Sequence, residues 1–123
     1  MIAIIDYGAG NIFSVKNALD YLGVENKLTA DKNEICAADE IILPGVGAFP
    51  WAMKMLRDSG LVDTIREEAR KKPFLGICLG MQLIFDKGYE FEETDGLRLI
   101  GGKVEKIDRK DMIIPHMGWN ELE

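Results

Sequence analysis

Phe74-Leu75-Gly76-Ile77-Cys78-Leu79-Gly80-Met81-Gln82 sets the reading of the whole chain. A short apolar run ends at Cys78, with Gly76 two residues before it and Gly80 two after, and an amphipathic run from Leu79 to Phe85 follows at once. That order spells strand, sharp turn and helix start with a thiol at the apex, the arrangement that lifts a nucleophile clear of a sheet. A bend that tight needs small residues on both sides. The helix start behind it offers free N–H groups and a partial positive charge, both of which favour a thiolate. The next amide, Leu79 N–H, stands where an oxyanion would form. The plainer alternative is a buried structural cysteine between two incidental glycines, since free cysteine is commonly buried.

The residues before the bend give it a setting. Ile2 to Ile5 is a continuous apolar run ending at Asp6, the mark of a strand covered on both faces. After the turn Tyr7-Gly8-Ala9-Gly10-Asn11, apolar residues recur at Ile12, Val15, Ala18, Leu19 and Leu22, a helical stripe closed by Gly23. Val24 to Leu28 reads as a weaker strand, Asp31 to Ala38 as a short helical turn, and Glu40 to Leu43 as a strand running into Pro44-Gly45-Val46-Gly47. Helices are predicted over Trp51–Arg57 and Leu61–Lys71, the second with Leu61, Val62, Ile65 and Ala69 on one side, and Pro73 separates it from the bend. The alternation predicts an α/β fold with a mainly parallel, doubly wound sheet and right-handed crossovers. Ligands in such sheets sit beyond the carboxyl ends of the strands, so the loops at Gly8–Asn11, Gly45–Gly47 and Cys78 should face one crevice. Beyond Phe85 the pattern loosens. Glycines punctuate short segments, Glu90 to Asp95 reads as an exposed loop or hairpin, Lys103 to Ile107 alternates like a half-exposed strand, and Ile113 to Asn120 mixes strand and turn signals.

The totals bound the possibilities. At 123 residues the chain is one small domain or part of one, and its 47% hydrophobic content is enough to build a core. A net charge of −6 argues against nucleic acid or an anionic membrane surface as a partner. No apolar run approaches the ~20 residues of a membrane span, and Met1 to Asp6 lacks the basic start of a signal peptide. Two cysteines in unrelated contexts, Cys36 and Cys78, fit reduced thiols in a cytoplasm, with Cys36 structural. Nothing calls for a metal or cofactor.

A cysteine nucleophile needs a base. The one histidine, His116, stands between Pro115 and Met117 and reads as a loop or packing residue, with the catalytic base as the lesser alternative. Gly45 and Gly47 either form a tight turn or let backbone amides approach a substrate. Gln82, one turn past Cys78, is either an ordinary helix residue or a donor to a substrate amide. Trp119 reads as a core aromatic.

Four stretches stand in the order and spacing of one family: Tyr7-Gly8-Ala9-Gly10-Asn11, Pro44-Gly45-Val46-Gly47-Ala48-Phe49, the Cys78 bend, and Pro115-His116-Met117-Gly118-Trp119-Asn120. The chain resembles the glutaminase subunits of imidazole glycerol phosphate synthase, within the class I (triad) glutamine amidotransferases. The bend alone indicates the wider class, the second and fourth stretches narrow it, and the likeness covers essentially all 123 residues. The resemblance implies a three-layer, flavodoxin-like fold. It implies hydrolysis of glutamine to glutamate and ammonia, with the ammonia channelled to a (β/α)₈ cyclase subunit that makes imidazole glycerol phosphate in histidine biosynthesis. Cys78 would be the nucleophile, and the amides of Leu79 and Val46 the oxyanion hole. Gly45, Gly47 and Gln82 would bind substrate, while Asn11, His116, Met117 and Trp119 would lie near the partner interface and the ammonia passage.

One departure stands out. The family's catalytic histidine and the glutamate two residues after it belong to a part with no counterpart here. The expectation is therefore a single truncated domain over residues 1–123, incomplete at its C-terminal side, inactive alone, and able to self-associate through an exposed sheet edge. The alternatives are a non-catalytic dimerisation or partner-binding module, or another cysteine-elbow hydrolase, protease-like or glyoxalase-like. Gly80→Val is expected to abolish thiol reactivity before much stability is lost.

Overall fold

Hydrophobic runs of the kind just described form a four-stranded parallel sheet in the computed structural model, which describes residues 1–123. In chain order the elements are β1 Ile2–Ile5, α1 Ile12–Tyr21, β2 Asn26–Thr29, α2 Lys32–Ala37, β3 Glu40–Leu43, α3 Phe49–Asp58, α4 Val62–Glu68, β4 Phe74–Gly76, α5 Leu79–Leu83, β5 Lys87–Gly88, β6 Thr94–Asp95 and β7 Lys103–Val104. The main sheet runs β2-β1-β3-β4, all parallel, with Ile4 opposite both Leu28 and Ile42, and Ile42 opposite Leu75. A small sheet, β6-β5-β7, follows the bend.

Strand side chains alternate between faces, and the two faces of this sheet are covered unequally. Ile5, Ile41 and Leu43 point to the side where Ile35 of α2, Phe49, Ala52, Met53 and Leu56 of α3, Ile65 of α4 and Leu79 and Leu83 of α5 form the core. The spacing 49, 52, 53, 56 is one helical face. On the other side α1 lies alone. It buries none of its residues fully, and Ala18 and Leu22 of the expected stripe are exposed, although Ile4 beneath it is completely covered. Helices on both faces make the three layers. The β4 edge is free, and apolar clefts flank it. One, of about 330 Å³, is lined by Val15, Leu19, Ile42, Leu75 and Ile77, and another, of about 240 Å³, by Phe74, Ile84, Leu99 and Ile100.

Local chemistry shifts several element boundaries from the expected ones. Val24 N–H donates to Leu19 O to close α1, so β2 begins two residues later than the pattern implied. Helix α3 starts at Phe49 rather than Trp51, because Pro50 is tolerated in a first turn and the Glu90 carboxylate accepts the Phe49 N–H at 3.0 Å. Helix α4 stops at Glu68, not Lys71. Both Lys71 and Lys72 N–H groups close on Glu68 O, and Lys72 Nζ reaches away to the carbonyls of Ile35, Cys36 and Ala38 at the end of α2. Glu68 itself is buried, between Lys71 Nζ at 2.9 Å and Lys72 Nζ at 2.8 Å. The small sheet is fastened to α4 by Arg66, which donates to Leu97 O and Gly96 O. The expected strand over Lys103–Ile107 shrinks to Lys103–Val104, and no regular element forms beyond it. Cys36 and Cys78 are both exposed free thiols, so the structural role expected of Cys36 is not a buried one. No helix is long and apolar enough to cross a membrane.

Candidate active site around Cys78

Strand β4 delivers Cys78 into a left-handed backbone conformation, φ 55° and ψ −117°. A non-glycine residue held there costs about 1–3 kcal/mol and persists only where its surroundings impose it. They do so by close packing of backbone on backbone. Gly80 N–H turns back to Ile77 O at 2.9 Å and Met81 N–H to Cys78 O at 3.0 Å. A Cβ at Gly76 would lie 2.7 Å from Met81 Cα, and one at Gly80 only 1.9 Å from Leu43 O. The bend is thus seated on the end of β3, and Cys78 is exposed rather than packed inside the protein.

The three loops at strand carboxyl ends meet there. A groove of about 270 Å³ is lined by Asn11, Ser14, Val15, Pro44, Gly45, Val46, Ile77 and Cys78. None of these side chains is charged, a lining suited to a neutral carbonyl compound. The N–H groups of Gly45, Val46, Gly47 and Leu79 donate to no acceptor in the protein. Unpartnered amides next to the thiol in sequence (Leu79) and on the loop that shares its groove (Gly45, Val46) are the kind of donor that can stabilise a developing oxyanion. The loop carrying Gly45, Val46 and Gly47 is held at its ends. Tyr7 Oη donates to Pro44 O at 2.9 Å in a buried contact, and Glu90 accepts from Phe49 N. Burial pushes the Tyr7 hydroxyl up to about 12, so it remains a donor at any ordinary pH. The sequence marks Tyr7 as the start of one of the four quoted stretches but gives no sign of either pairing. Tyr7 is separated from Pro44 by 37 positions and Glu90 from Phe49 by 41, and no local pattern pairs them.

Other expected site residues are placed differently. Gly47 and Gln82 do not line the groove, Gln82 being half-buried on α5. Leu79 has a buried side chain and offers the site only its amide. His116, Met117 and Trp119 lie in an exposed tail away from the groove lining, with His116 Nε2 2.6 Å from Asn120 Nδ2. Trp119 is fully solvent-exposed, at 102% of its reference area, which overturns its reading as a core aromatic. Cys78 therefore has no histidine beside it. No group of three or more His, Cys, Asp or Glu side chains is arranged to hold a metal.

A family model, glutamine amidotransferase class-I, matches residues 3–121. The chain belongs to the class-I glutamine amidotransferases. Among curated relatives, this amidotransferase chain is 54% identical over 124 residues to imidazole glycerol phosphate synthase subunit HisH of Bacillus thuringiensis (strain Al Hakam), with all of this chain aligned to 59% of that protein. It is 51% identical over 125 residues to the subunit of the same name from Listeria monocytogenes serotype 4b (strain CLIP80459), again with all of this chain and 60% of that one. The chain thus spans about three-fifths of the length of the relatives it matches. A crystal structure of a glutamine amidotransferase superposes with a TM-score of 0.70 at 24% identity, covering 85% of this chain and 56% of that one, which shows the shared fold.

Proposed function

We propose that these residues supply the nucleophile half of a glutaminase site in an imidazole glycerol phosphate synthase, serving histidine biosynthesis in the cytoplasm. The Cys78 thiolate attacks the γ-carboxamide carbon of glutamine, so that an S–C bond forms and the carbonyl oxygen becomes an oxyanion. Leu79 N–H and an amide of the Gly45–Gly47 loop, that of Val46 above all, receive this oxyanion. Its collapse breaks the C–N bond, ammonia leaves with a proton, and water hydrolyses the thioester to glutamate. Gly45 holds the substrate in the groove, and Gly47 and Gln82, which lie outside its lining, are assigned to substrate binding by the family resemblance. The ammonia passes to a (β/α)₈ cyclase subunit across a surface that includes Asn11, His116, Met117 and Trp119. The observation that carries the reading is an exposed cysteine in a left-handed bend, sharing a groove with Gly45 and Val46, whose amides have no partners. The HisH relatives support the pathway.

A base must accept the thiol proton and pass one to the departing ammonia, and loss of such a group costs roughly 10²–10⁴-fold in rate. With no histidine at Cys78, the 123 residues by themselves are proposed to form a glutamine adduct site without turnover. A chloromethyl ketone analogue of glutamine tests this. Cys78 sulfur displaces chloride, and excess glutamine is expected to slow the reaction at Cys78 but not at Cys36. Equal labelling of both cysteines, unaffected by glutamine, refutes the reading and favours a non-catalytic module. For such a module the free β4 edge, with its apolar clefts, is the specific observation, and self-association of two copies through that edge is the second reading.

A further inference from the structure

We propose that Tyr7 is a positioning residue for the oxyanion loop, acting through the Pro44–Gly45 peptide; this rests on reading Cys78 as the glutaminase nucleophile.

The loop from Pro44 to Ala48 has two held ends and a loose middle. At one end the buried Tyr7 hydroxyl donates to Pro44 O. At the other, Glu90 accepts from Phe49 N. Between them Val46 is 59% exposed, and Gly47 sits at φ +97° with nothing within 4 Å of where a Cβ would be. The amides of this middle are the ones without partners. A peptide unit is planar and trans. Fixing the direction of the Pro44 carbonyl therefore fixes the direction of Gly45 N–H on the other side of the same plane. That nitrogen faces the Gly10 turn, lying 3.0 Å from where a Cβ of Gly10 would stand, and a Cβ on Gly45 would meet Gly80 N at 2.6 Å. One hydroxyl, reaching from the end of β1, thus sets the first peptide of a loop that leans directly on the Cys78 bend. No other hydrogen bond to Pro44 O is formed in the protein, so the hydroxyl has no substitute there.

The test compares two reagents on the same sulfur. The chloromethyl ketone analogue of glutamine carries a carbonyl whose oxygen gains charge as Cys78 attacks. Iodoacetamide reacts by direct displacement of iodide and puts no oxyanion in the loop. In Tyr7→Phe the ring stays and only the hydroxyl is lost. The expected result is a maximal inactivation rate by the ketone lowered roughly fivefold to tenfold, the scale of one buried hydrogen bond. The half-saturating ketone concentration and the iodoacetamide rate at Cys78 should be unchanged. A ketone rate equal to the parent's overturns the inference. So does an equal fall with both reagents, which would mark general loosening of the bend. If the parent itself shows no glutamine-protected labelling by the ketone, the glutaminase reading fails first, and the inference with it. A melting curve of Tyr7→Phe keeps the comparison to folded protein.

Discussion

Gly80→Ala tests the interlock between the bend and the central sheet. The added Cβ would stand 1.9 Å from Leu43 O, with Leu43 C at 2.8 Å and Pro44 C at 3.1 Å. All three obstacles are backbone, so no side-chain rotation relieves the contact. The helix start must retreat by about 1 Å, against overpacking costs of roughly 1–3 kcal/mol. Because the neighbour belongs to a buried strand, the upper end applies, about 3 kcal/mol. Replacing glycine by alanine inside a helix returns roughly 0.5–1 kcal/mol. The net loss is about 2 kcal/mol, a large share of a stability on the order of 5–15 kcal/mol. Urea unfolding should show a midpoint lowered by roughly 1–2 M for an m-value of about 1–2 kcal/mol/M. Alkylation of Cys78 should slow as the left-handed bend relaxes. Gly101→Ala is the control, having nothing within 4 Å and no left-handed backbone, and it should stay within about 0.5 kcal/mol of the parent. A Gly80→Ala protein as stable as the parent would refute the interlock. The same geometry corrects the expectation for Gly80→Val, in which stability and reactivity should fall together, because the bend and β3 share the contact.

Two more outcomes follow from particular contacts. Hydrogen bonds from Lys72 and then Lys71 hold the Glu68 carboxyl down at about 2, against an ordinary 4.5. A depressed folded value means the stabilisation is fully present above pH 4.5 and is lost as pH falls from 4.5 toward 2. The melting temperature of the parent should therefore drop more steeply across that window than that of Glu68→Gln, and parallel curves would dismiss the cluster's role. At the free β4 edge, Leu75 is 55% exposed between apolar clefts. If two copies join there, sedimentation velocity should show a concentration-dependent dimer that Leu75→Lys abolishes, whereas a monomer at every concentration would exclude self-association.

The sequence by itself determined the order of the main elements and the character of the bend. Continuous apolar runs at Ile2–Ile5 and Ile41–Leu43 read as strands covered on both faces, and glycines two residues either side of Cys78 favour a tight turn there. Periodicity and turn chemistry are local properties, so they are legible without coordinates. They also carried the convergence of Asn11, Gly45, Val46 and Cys78, since a parallel sheet sends every strand end to one side. Tertiary structure decided what depends on distant partners. It placed Tyr7 on Pro44 and Glu90 on Phe49, paired buried Glu68 with two lysines, and left α1 and the β4 edge thinly covered. It also put Trp119 in solvent, where its residue type alone had argued for packing, and His116 in an exposed loop, one of its two expected places. A side chain's hydrophobicity states how much it gains from burial, but only the arrangement of the rest of the chain supplies a surface to bury it against.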